Sequence, residues 1–120
     1  MSQEPNETQS LEKKCSLLLN EPDVRFVGFI NNMGRQIAGG YKQGITPLVD
    51  EEEHKISLEH ALEVLLTKDL DESLGSIDSI VTRRKKVTMI TIPMEKFSLL
   101  ISAEKNSDAE KIVQKALNMF

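Results

Sequence analysis

The chain has 120 residues, 39% of them hydrophobic and 28% charged, with a formal net charge of −4 and a single cysteine. That length holds one domain, and the apolar content is that of a folding chain, not a disordered one. The acidic balance disfavours nucleic acid or an anionic membrane as a general partner, and one cysteine excludes an internal disulfide or a cysteine-rich metal site.

Residues 1–9 are polar apart from Met1 and include Pro5, which predicts a tail ahead of one domain over residues 10–120. Leu11, Cys15, Leu18 and Leu19 then fall on one helical stripe opened by Ser10. Residues 24–31, VRFVGFIN, are apolar on both alternating sets, the pattern of a strand covered on both faces. Gly28 in its middle predicts that a helix or another backbone comes close there. The turn at Asn31, Asn32 and Gly34 leads into a second strand over 35–41, completing a hairpin that ends in Gly39 and Gly40. Asp50 and the three glutamates after it predict the start of a middle helix running to about Ser73 and stopped by Gly75. Residues 76–82, 86–92 and 97–103 read as a meander of three strands, and Ser107 with Glu110 forms a capping box before a last helix. The element order is αββαβββα, an α+β fold.

The middle helix carries two apolar lines. Leu58, Ala61, Leu62, Leu65 and Leu66 form a broad face expected to lie on the sheet. Ile56, His60, Val64 and Thr67 form a thinner line on the opposite side, and with Ile77 and Ser79 of the next strand they are predicted to make a two-fold dimer interface. The basic turn Arg83, Arg84, Lys85, Lys86 is a candidate contact for a partner or an anion, and equally a solubilising turn. No nearby aromatic residue could stack a base there.

Nothing has the spacing of a catalytic, cofactor or metal motif, so no catalytic residue, cofactor site or metal site is predicted. His54 and His60 are six apart and face different sides of a helix. The glycines at 39, 40 and 44 match no phosphate-loop pattern, and Cys15 falls in the core register. The expectation is a cytoplasmic protein without a membrane span, since no apolar run is long enough and the first ten residues carry no signal core.

The opening hairpin VRFVGFINNMGRQIAGG and the closing strands over 87–103 resemble the roadblock/LC7 (dynein light chain, profilin-like) superfamily. More narrowly, GITPLVDEEE, SLGSID, RRKKVTMITIP and LLISAE are similar to a group of small uncharacterised proteins of ammonia-oxidising archaea, over residues 22–120. The superfamily resemblance implies a five-stranded antiparallel sheet of order 2-1-5-4-3, with the middle helix on one face and the terminal helices on the other. It also implies dimers formed through the middle helix and third strand, and a non-catalytic platform or regulator of a small Ras-like GTPase. The long loop before the middle helix and the RRKK turn depart from that pattern. The alternative reading is a sensor with a small molecule held between the sheet and the loop from Gly39 to Val49.

Overall fold

A strand apolar on both alternations needs cover on both sides, and the 24–31 segment has it. The computed structural model describes residues 5–47 and 52–120, apart from the side chains of residues 5, 6 and 52–57. In it β1 (Val24–Asn31) lies between β2 (Gln36–Tyr41) and β5 (Phe97–Glu104), with β4 (Val87–Pro93) beyond β5 and β3 (Ile80–Arg83) at the edge. All neighbours are antiparallel and the order is β2-β1-β5-β4-β3, as expected. Three longer helices, α1 (Pro5–Leu19), α2 (Glu52–Leu66) and α4 (Ala109–Leu117), flank the sheet. The middle helix is shorter than its pattern. It stops at Leu66, and a 3-10 turn (Lys68–Leu70) and the one-turn helix α3 (Asp71–Leu74) carry the chain to Gly75, which closes it at φ 84°.

Leu11, Cys15 and Leu18 of α1 and Ile112, Val113 and Ala116 of α4 bury Val27, Phe29, Ile90, Leu99 and Ile101 on one face. Lys115 joins the two helices there, pairing with Glu21 at 3.0 Å and donating to the Leu17 carbonyl. The other face holds a smaller cluster, Phe26, Ile30, Met89 and Leu100, with Tyr41 at its margin, and α2 crosses that face over β4 and β5.

Several local expectations change as well. Helix α1 begins at Pro5, so residues 5–9 belong to it and not to a tail; proline suits a first helical turn, and a solvent face needs no apolar residues to signal it. At Gly28 a backbone does come close, the Ala38 carbonyl oxygen of β2 at 3.6 Å from an added Cβ, but the tighter neighbour is the ring of Phe26 two residues earlier, at 2.6 Å. The third strand begins at Ile80, four residues late, because its ladder starts opposite Thr91 and Pro93 ends β4 just beyond. The cap of α4 is Asp108, whose carboxylate accepts from the Lys111 N–H at 3.1 Å.

Ser107 is instead buried, with no hydrogen-bond partner for its hydroxyl among the described residues. Asp108→Ala is therefore expected to cost about 1 kcal/mol of stability. Ser107→Ala should be neutral or stabilising, because it removes an unsatisfied buried hydroxyl. Urea denaturation of both variants checks the contrast, and a serine cap would reverse it.

The largest change concerns the faces of α2. His60 is 7% exposed and turned onto the sheet, with Val64 and Thr67 half-buried beside it. Leu58, Leu62, Leu65 and Leu66 point away from the sheet at 57%, 54%, 66% and 70% exposure. The thin line is thus the inner one, so His60 is turned inward with Val64 and Thr67 half-buried beside it, and the leucine line is the outer one. The Ile56 side chain and the Asp50 cap lie outside the described residues. The reason is the polar seam beneath the helix. Thr91, Ser102 and Thr82 put hydroxyls on this face, and leucines laid over them would leave buried polar groups without partners, whereas the imidazole bonds the Thr91 hydroxyl and reaches that of Thr82.

Candidate interaction surface

His60 bridges two strands from its place on α2. Its Nδ1 hydrogen-bonds the Thr91 hydroxyl, and its Nε2 lies 3.5 Å from the Thr82 hydroxyl on the edge strand. Burial, opposed by the carboxylates of Glu63 and Glu59 and seconded by Arg84, holds the imidazole below its usual range. Because the folded value is the lower one, the unfolded chain takes up the proton first. This contribution to stability is therefore intact above about pH 6.5 and declines as the pH falls toward the folded-state value. Urea midpoints measured from pH about 7.5 down to about 5 should fall less steeply in His60→Gln than in the parent; equal slopes would refute the assignment to His60.

The basic turn divides in two. The Arg83 guanidinium donates to the Thr88 hydroxyl at 3.1 Å and to the Lys105 and Ser107 carbonyls at 3.2 Å each, fastening β3 to the loop before α4. It is a brace and not a free contact. Arg84 lines a cleft of about 190 Å³ with Glu59, His60 and Glu63, while Lys85 and Lys86 are exposed and make no ion pair among the described residues. Ile77 and Ser79 are half-buried in the segment entering β3 and line a second depression with Glu63 and Thr67.

The remaining candidates have structural work. Burial raises the Cys15 thiol to about 12, with Glu12 adding to the effect, so it is a packed apolar group and not a nucleophile. The Gly39 N–H donates to Glu12 Oε1 at 2.8 Å, the Lys42 amine to the Glu21 carbonyl at 2.6 Å, and Arg25 to the Thr46 carbonyl at 3.1 Å. The described part of the 39–49 loop is therefore bound to its own chain. Among the described residues no cluster of three or more His, Cys, Asp or Glu could hold a metal ion, and no helix is long and apolar enough to cross a membrane.

Two features remain open to a partner. Four leucines project from α2, and β3 is the edge strand, whose outer side has no neighbour in the sheet; between the helix and that strand lies the cleft of Glu59, Glu63 and Arg84. The leucine periodicity was visible in the sequence. Which way it faced depended on the hydroxyls of strands distant along the chain.

The fold matches solved structures closely at low identity. A Roadblock/LC7 domain from Streptomyces avermitilis superposes with a TM-score of 0.65 at 15% identity, over 90% of this chain and 89% of that one. The gliding protein MglB from Thermus thermophilus gives 0.74 at 14% identity, over 99% and 87%. An MglB structure with a tetrameric arrangement gives 0.75 at 14% identity, over 99% and 87%. No curated protein matches the sequence. With the five-stranded roadblock/LC7 fold so placed, and with the family match running over residues 4–119, the chain belongs to the family of unknown function DUF6659.

Proposed function

We propose that the protein is a non-catalytic homodimeric interaction module, and that its partner is a small Ras-like GTPase for which it serves as a platform or regulator. The observation that carries the reading is the exposed leucine face of α2, with the unpaired edge of β3 as a second open element. Burying these half-exposed side chains yields about 1–2 kcal/mol apiece, on both copies, against an association cost of about 4–15 kcal/mol. The leucine face is therefore large enough to hold a dimer, which the thin line of His60, Val64 and Thr67 was not. Backbone pairing of two β3 edges adds hydrogen bonds and removes an exposed edge. Ile77 and Ser79 stay at the margin of this surface. The GTPase half of the proposal rests on the roadblock likeness, which is a likeness of fold.

Sedimentation of the full chain over a range of concentrations tests the dimer. Binding of a panel of purified Ras-like GTPases, each loaded with GDP or a non-hydrolysable GTP analogue, tests the partner. Saturable binding that depends on the nucleotide supports the reading. A protein that stays monomeric and binds neither form overturns it.

A further inference from the structure

The dimer proposed above would leave a second surface unexplained. Between the end of α2, helix α3 and the segment entering β3 lies a groove of about 410 Å³. Its walls carry Glu63, Asp71 and Asp78, its apolar part is Leu70, Leu74 and Ile77, and among the described residues no lysine or arginine lines it. Leu70 and Leu74 are exposed large apolar side chains. The groove adjoins the free edge, since residues 76–79 read as strand in sequence yet lie outside the β3–β4 ladder.

We propose that the basic turn of one copy, Arg84, Lys85 and Lys86, docks into this acidic groove on the other. The proposal rests on the homodimer reading and deepens it. Its ground is geometric. Two copies of a strand spanning Ile80–Arg83, paired antiparallel about a two-fold axis, run in opposite directions past each other. Residues just after Arg83 in one copy then lie against residues just before Ile80 in the other. Centring the pair on Val81 puts Arg84 opposite Asp78; moving the centre one residue either way keeps the turn over the stretch from Leu74 to Ile80. The contact occurs twice, once on each side of the axis.

Charge explains why such a contact is needed. Each copy carries a net −4, so two copies repel. The turn is the concentrated basic patch of the chain, and Arg83 is already held by Thr88, Lys105 and Ser107, which leaves the next three residues for the partner. Glu63 lines both this groove and the cleft beside Arg84, so the acidic surface is continuous from one copy's turn to the site that receives the other's. The aliphatic stems of the lysines suit the leucine and isoleucine part of the groove while their ammonium groups meet its carboxylates.

The test is a charge exchange on the full chain, with one variant carrying Lys85→Glu and Lys86→Glu and another carrying Asp71→Lys and Asp78→Lys. At about 50 mM salt each variant alone should dimerise on the order of tenfold or more weakly than the parent. Mixed in equal amounts, the two should form a heterodimer of parental affinity, because both of its contacts are then between opposite charges. The parent itself should weaken as salt rises to about 500 mM, and Lys85→Gln with Lys86→Gln should flatten that dependence even if an exchanged variant folds poorly. Variants that dimerise like the parent, show the same salt dependence and do not pair preferentially would overturn the docked turn while leaving the dimer standing. A parent that is monomeric at every salt concentration would overturn both.

Discussion

Leu62→Asp is expected to leave the protein folded and to make it a monomer. The side chain stands 54% exposed on the outer face of α2, so an isolated subunit loses little when it becomes a carboxylate. In the proposed dimer the same change removes a buried leucine from each copy and places two carboxylates in an apolar contact. About 4 kcal/mol is a reasonable total for the pair. That corresponds to a dissociation constant raised on the order of a thousandfold. Sedimentation would show the subunit mass where the parent shows twice it, and circular dichroism would show the parental content of helix and sheet.

Val64→Asp supplies the opposite control. It lies half-buried on the inner side with His60, so a carboxylate there should lower the stability of the subunit by about 1–3 kcal/mol whatever the oligomer does. Were Leu62→Asp to keep the parental mass while Val64→Asp abolished it without unfolding, the inner and outer sides would have to be exchanged again.

This pair of substitutions marks where the sequence could be read and where it could not. The strands followed from alternation, which marks β1, apolar on both sets, as a covered strand, and their order followed from the superfamily likeness alone. The two lines on α2 were equally plain as periodicities. Their orientation was not, because periodicity identifies an apolar face without saying whether it meets its own sheet or another molecule. The decision lies with Thr82, Thr91 and Ser102, which reach the same face of the sheet only after β3, β4 and β5 have paired. A histidine amid an otherwise aliphatic line was the available signal, since a buried imidazole implies hydroxyls or carbonyls opposite it. The acidic groove had no such signal, for it joins residues from α2, α3 and the approach to β3. The double role of the RRKK turn was equally hidden, because Arg83 is claimed by carbonyls beyond β5.

The glycine pair at the end of the hairpin carries the second large effect. Gly39→Ala is expected to destabilise the protein by about 3 kcal/mol or more, and Gly40→Ala to change its stability by no more than about 0.5 kcal/mol. In sequence the two are adjacent and alike; in the sheet they are not. A register shift beside Phe29 inserts an extra residue into β2 and brings Gly39 directly opposite Gly28 at φ 96°. An added Cβ at 39 would stand 2.0 Å from the Val27 carbonyl oxygen and 2.9 Å from the Gly28 Cα, both backbone atoms that cannot swing aside. Relief would require β1 and β2 to separate. That would also strain the Gly39 N–H bond to Glu12, loosening α1 from the hairpin. At Gly40 nothing lies within 4 Å of the added carbon and the backbone is ordinary. Paired urea titrations measure the contrast directly. Equal losses at the two positions would mean that the glycines serve flexibility or a ligand, and that close strand approach is not what requires the first of them.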